Sequence, residues 1–186
     1  MARNYFISDV GYEFSKFFYF YETKIIQLQG DDLRYVVEIG LKNDNSEVKL
    51  CIDGENISDP ESDDDVGVCI NYDKNDKEGV VDIEGLTLKE GDFLGCGIVF
   101  PPRSNSEESP FVFFTHNKKQ IGKGIVVDKG SSNFRPFICL KSASVDTNFG
   151  CDMENCFNFN VLLFQHFVSN EYYSEEDFEK EEMEED

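Results

Sequence analysis

Between Gly91 and Gly150 the chain alternates short apolar runs with glycine and polar breaks so regularly that it leaves little room for anything but consecutive antiparallel strands. Gly91 and Asp92 open the segment as a turn, and Phe93, Leu94, Cys96, Ile98 and Phe100 follow as a short apolar run. Gly95 and Gly97 lack a Cβ, so they leave room for another backbone to pass close by. From Phe111 to Thr115 aromatic and β-branched residues favour an extended backbone, and a polar turn over His116, Asn117, Lys118 and Lys119 returns the chain at Gln120 and Ile121. This pattern predicts a β-hairpin. Further strands are expected at 48–51, 66–72 and 79–83, whereas a 3.6-residue period is hard to find before the C-terminus.

The ordered motifs resemble those of the SPRY domain, the core of the B30.2 module. GDFLGCGIVF is similar to that family's strand of Gly-Asp, two apolar residues and Gly-Cys-Gly. FVFFTHNKKQIG resembles its FFTKNG hairpin, and RPFICLKS with VDTNFG resembles its last two strands. Upstream, FYFYETKII (Phe18 to Ile26) looks like the family's opening strand and YVVEIGL (Tyr35 to Leu41) like its ISIGLA strand. The resemblance covers residues 17–160. Two departures stand out. Lys118 occupies the place of the family's hairpin glycine, so a different turn is expected, and the acidic segment DGENISDPESDDD replaces the family's PGW stretch in a chain with no Trp.

The resemblance implies an all-β, SPRY-like antiparallel β-sandwich, and composition adds a disordered acidic C-terminal tail. The expected divisions are an N-terminal extension (1–16), the sandwich (17–160), a C-terminal segment (161–170) and the tail (171–186). Composition agrees with this class. The chain of 186 residues suits a single core, and its 18 Phe and 8 Tyr suit the inner faces of a sandwich. FNFNVLLFQHF, with Phe157, Phe159, Phe164 and Phe167, fits either a closing strand or a packed helix.

Charge narrows the partners. Lys and Arg total 17 against 38 Asp and Glu, a net charge of −21, which disfavours nucleic acid because a phosphate backbone requires a positive surface. Ten acidic residues and one Lys lie between Glu171 and Asp186, a composition expected to be solvated and without fixed structure. The acidic run from Asp59 to Asp65 lacks the ligand spacing of a calcium loop. The N-terminus MARNYFISDVG has no long apolar core and no stretch is long enough to span a membrane, so a cytoplasmic or nuclear location with reduced thiols is expected. In that setting the Asn56-Ile57-Ser58 sequon carries no glycan.

Of the six cysteines, Cys51, Cys69, Cys96 and Cys139 fall in apolar strand segments and read as small buried hydrophobes. Cys151, Cys156 and His166 lack the second ligand pair of a zinc site. No metal and no cofactor is expected. The two histidines, His116 in a turn and His166 near the C-terminus, have no nucleophile in a recognisable setting. Gly122, Gly124 and Gly130 lack the Gly-Lys-Ser/Thr ending of a phosphate loop. The expectation is therefore a non-enzyme.

Recognition remains. SPRY-like modules bind proteins, often short peptide segments, as receptors or scaffolds in assemblies such as ubiquitin ligases and histone methyltransferase complexes. By that resemblance this chain is expected to be an adaptor, monomeric outside a complex, whose rim loops take a peptide. The alternative is a permanent structural subunit bound through a sandwich face. Candidate rim residues are Gln29, Gly30, Asp31, Asp32 and Arg34, then Asn43, Asp44 and Asn45, then Tyr72 and Asp73, and finally Arg103, Asn105 and Glu107. Arg34 and Tyr72 lead because their residue types most often anchor interfaces. Phe93, Ile98, Phe113, Phe137, Leu140 and Phe149 are expected in the core. Ser58, Ser62 and Ser174 each precede an acidic residue by three positions and are candidates for phosphorylation.

Overall fold

The computed structural model describes residues 5–7, 16–28, 34–55, 67–74, 77–100, 108–129, 133–150, 157–159 and 171–178. These form eleven strands: β1 (Tyr5–Ile7), β2 (Lys16–Leu28), β3 (Arg34–Lys42), β4 (Ser46–Glu55), β5 (Val68–Lys74), β6 (Lys77–Asp82), β7 (Phe93–Phe100), β8 (Phe111–His116), β9 (Lys119–Val126), β10 (Arg135–Lys141) and β11 (Ala143–Asn148). One short helix, α1 (Glu175–Phe178), follows. All strand pairs are antiparallel and they build two sheets, as a β-sandwich requires.

The first sheet runs β2-β7-β8-β9, with β1 and β11 sharing the free edge of the long β2. The expected N-terminal extension thus contributes a strand, Tyr5 pairing with Phe18 and Ile7 with Lys16. The second sheet has the order β10-β3-β4-β5-β6. Between β10 in one sheet and β11 in the other stands only Ser142, whose φ of 52° turns the chain through the corner. The opposite side is crossed by residues 171–178. Glu171 and Tyr173 bond to both sides of Gly124 in β9, and Phe178 lies over Gly79 in β6, where a Cβ would collide with it. The disordered tail expected from residue 171 is therefore placed as far as Phe178, because Tyr172, Tyr173, Phe178 and backbone hydrogen bonds hold it; 179–186 lie outside the described residues.

Facing positions of both sheets make the core. Alternation in β3 buries Tyr35, Val37, Ile39 and Leu41 and leaves Val36 and Glu38 half-buried, the period-2 signature of a sheet with one wet face. β7 and β8 instead are buried on both faces. Leu94, Cys96, Ile98, Val112 and Phe114 point inward. Phe20, Val99, Phe111 and Phe113 point outward and are roofed by Phe159 with Phe157 beside it. Gly95 and Gly97 are what this outer layer requires: side chains there would meet the rings of Phe20 and Phe113 and the hydroxyl of Thr115, so rings rather than backbone fill the space. Residues 157–159 are neither strand nor helix, and Phe164 and Phe167 lie outside the described residues.

Among the expected core residues, Ile98 and Phe113 are fully buried and Phe93 and Phe137 half-buried. Leu140 and Phe149 are 37% and 39% exposed, a correction with two causes: β10 is an edge strand, and Phe149 stands just beyond the end of β11. The β8–β9 hairpin keeps a two-residue turn despite Lys118. Asn117 and Lys118 have φ of 45° and 74°, the left-handed values of a type I′ turn, and His116 and Lys119 are its last strand pair.

Candidate binding cleft

At one end of the sandwich the sheets part around a cleft of about 360 Å³. Its floor is Tyr21 from β2, Leu41 from β3 and Cys96 and Ile98 from β7, and its walls are Phe100, Phe134, Pro136 and Phe149. Tyr19 and Asn133 stand at the mouth. Pro136 is tolerated because β10 is an edge strand whose missing N–H faces no partner across an outer ladder. The volume is at the lower end of the roughly 300–1,000 Å³ typical of ligand sites.

Tyr21 fixes the floor by joining the sheets. Its hydroxyl accepts the Gly40 N–H (2.9 Å) and donates toward the carbonyls of Gly40 (2.8 Å) and Phe137 (3.0 Å). Burial, with the neighbouring Cys96 sulfur, raises its pKa well above the usual tyrosine value, so it stays a phenol. Burial likewise pushes the Cys96 thiol far up and leaves it a poor nucleophile. The ring of Phe149 stacks on Tyr21 (5.7 Å between centroids, 28° between planes), and Tyr19 meets Phe100 edge-on (5.9 Å, 89°). Tyr19 and Phe149 each remain 39% exposed, so apolar surface faces the opening. A lining of aromatic rings, one proline and two protonated groups suits an apolar group better than a reacting one.

The polar network nearest to a catalytic set lies elsewhere, at the entrance to β7. Asp92 accepts the Lys89 N–H (2.9 Å), sits 3.0 Å from His116 Nε2 and accepts Asn117 Nδ2–H (2.7 Å), while Asn117 Oδ1 accepts the Phe93 N–H (2.9 Å). Burial alone would raise the Asp92 carboxyl, but the hydrogen bonds from Asn117 and His116 outweigh it and hold the group below its ordinary value. The arrangement braces the hairpin against the turn before β7. Among the described residues no cluster of three or more His, Cys, Asp or Glu could hold a metal ion, and no helix is long and apolar enough to cross a membrane.

The expected rim residues separate to opposite ends. Arg34 begins β3, whereas Tyr72 is level with Leu41 through Val48, seven residues further along β3 and about 23 Å away at ~3.3 Å per residue. Tyr72 belongs to β5, half-buried under Phe178 (5.9 Å between centroids), so it packs the strap rather than anchoring a rim. Asp73 follows it, exposed, opposite Glu78. Asn43 is a turn residue whose Oδ1 accepts the N–H groups of Asn45 and Ser46 (2.8 and 2.9 Å). Asp44 at the tip pairs with Arg135 (2.9 Å) at the start of β10, on the cleft end. Gln29, Gly30, Asp31, Asp32, Arg103, Asn105 and Glu107 lie outside the described residues. Sequence reasoning missed the cleft itself. Tyr19 and Phe149 are 130 residues apart, and nothing local in either segment announces the other.

No protein-family model, no curated protein and no solved structure matches the chain.

Proposed function

We propose that the protein is a non-catalytic binding module that takes a short peptide segment of a partner protein, seating one bulky apolar side chain in the cleft. The observation that carries this reading is the aromatic lining of the 360 Å³ opening between the sheets, with Tyr19 and Phe149 half-exposed at its mouth. An apolar pocket with a few fixed polar groups around it is the common form of a recognition site, and the resemblance of the GDFLGCGIVF and FVFFTHNKKQIG segments to SPRY domains supports a peptide as occupant. The net charge of −21 favours basic residues beside the apolar anchor. Asn43, Asp44, Asn45 and Arg135 share this end of the sandwich and are the polar contacts of the proposal. An adaptor role in the cytoplasm or nucleus, within a larger assembly, belongs to the same reading. A standing structural subunit would be favoured by a broad exposed apolar face. The outer face of the first sheet is roofed by the chain's own Phe157 and Phe159, and that of the second carries Glu38, Lys49, Asp53 and Asn71.

The test is selection from a random peptide library followed by calorimetry on the selected sequences. Peptides with an apolar residue flanked by Lys or Arg are expected, binding Tyr19→Ala and Phe149→Ala at least about tenfold more weakly and Arg34→Ala, at the far end, as tightly as wild type. Binding that ignores Tyr19 and Phe149 but falls with Arg34 overturns the cleft as the site.

A further inference from the structure

On the outer face of the second sheet, away from the cleft, the register sets Cys139, Glu38, Cys51, Cys69 and Asp82 side by side on β10, β3, β4, β5 and β6. Cys51 and Cys69 are direct cross-strand partners, both half-buried and both free thiols. The Asp53 N–H bonds to the Gly67 carbonyl (2.9 Å), so alternation along the ladder makes Cys51 and Cys69, two residues on, a hydrogen-bonded pair. Such pairs hold their Cα atoms about 5.5 Å apart, inside the Cα span of a disulfide, while their Cβ atoms start wider than its usual range of about 3.5–4.5 Å, so closing the bond pulls the strands together and leaves it readily reduced. We propose that Cys51 and Cys69 are a redox pair, oxidised by a peroxide to a cross-strand disulfide that closes the chain from 51 to 69 into a ring and is reopened by thiols.

Lys49 and Asn71 frame the pair. Burial disfavours the thiolate of either cysteine and the Lys49 ammonium favours it. The Cys69 S–H donates to Asn71 Oδ1 (3.2 Å), which holds it as a thiol at rest, and Lys49 is held on this face by Glu38 (3.0 Å) and Glu47 (3.6 Å). Either sulfur can attack first and the other resolve, Cys69 first being one of two equivalent orders. The Cys69 thiolate attacks one oxygen of hydrogen peroxide, the O–O bond breaks, and hydroxide leaves to become water, giving a sulfenic acid. The Cys51 sulfur then attacks Cys69, the S–O bond breaks, and a second water departs with the Cys51 proton. Two electrons leave the thiols and reduce one peroxide to two waters. Cys96 is buried and exposed Cys139 stands opposite Glu38, so neither has a thiol partner among the described residues for the second step, and Cys139 serves as an internal reference.

The experiment treats the full-length protein with limiting hydrogen peroxide and maps cysteine-containing peptides by mass spectrometry. The expected result is a linked Cys51–Cys69 peptide, reversed by dithiothreitol and formed about tenfold faster than any oxidation of the more exposed Cys139. In urea that advantage should disappear, which ties it to the fold and needs no variant. Cys51→Ser should instead leave Cys69 as a sulfenic acid that dimedone traps. Oxidation of Cys139 at an equal or greater rate, or no linked peptide while other thiols react, overturns the proposal.

Discussion

The two sheets solve burial differently. The second sheet alternates: its inner face holds Val37, Ile39, Leu50 and Ile70, and its outer face presents Glu38, Lys49, Asn71 and a pair of thiols. The first sheet is dry on both sides at β7 and β8, with Cys96, Ile98 and Phe114 inward and Phe20, Phe111 and Phe113 outward beneath Phe159. A sheet buried twice needs a third layer, and this chain supplies one from residues after its last strand. Glu22 fastens that layer: its carboxylate, 3% exposed, accepts the N–H groups of Asn158 and Phe159, each at 3.1 Å. The lesson is that an aromatic-rich strand can be structural on its outer face, and that such a face is not by itself a docking surface.

The comparison breaks most visibly at Phe113 and Phe114, which are both fully buried but face opposite layers. Replacing either with Ala should cost about 3–5 kcal/mol in urea unfolding. A cost near 1 kcal/mol for Phe113→Ala alone would show that the outer layer is only loosely attached. Gly97→Ala puts a methyl against the Phe113 and Phe20 rings and should cost about 1–3 kcal/mol, whereas Gly67→Ala, which meets open space, should stay within about 0.5 kcal/mol.

The turns sharpen the contrast at smaller scale. Lys118 holds φ at 74° in the first sheet's hairpin, so Lys118→Gly should raise stability by about 1 kcal/mol. In the second sheet's turn Asn43→Ala removes the acceptor for two N–H groups and should lower it by about 1 kcal/mol. The smallest effect is a slope. Burial raises the Glu22 carboxyl above its ordinary value, with the Phe159 and Asn158 N–H groups opposing. The folded state therefore keeps this proton where the unfolded chain has lost it, and the Glu22 contribution falls as pH rises from the ordinary carboxyl range through the raised value. Thermal melts from about pH 4 to 7 should show this decline in wild type relative to Glu22→Gln; parallel curves would remove Glu22 from the account.

Much of this architecture is legible before any coordinates. The aromatic and β-branched FVFFT run followed by the polar Asn117-Lys118 step marks a hairpin, whereas only the two sheets show that this strand is buried on both faces while β3 keeps one half-wet. Rim residues are less legible. Arg34 and Tyr72 were paired by residue type, yet the ladder sets them about seven residues apart along β3, because position along a strand depends on register and register on partners distant in sequence.

The sequence by itself determined the all-β class, most strand positions and an acidic surface, since these follow from side-chain period, turn residues and charge, which act locally or as totals. Only the tertiary structure decided that Ser142 turns one sheet into the other, that residues 171–178 strap β9 to β6, that Tyr19 and Phe149 share a cleft, and that Cys51 faces Cys69. Each of these joins segments whose contact exists only once two sheets have paired and stacked, and no local preference of either segment encodes the other.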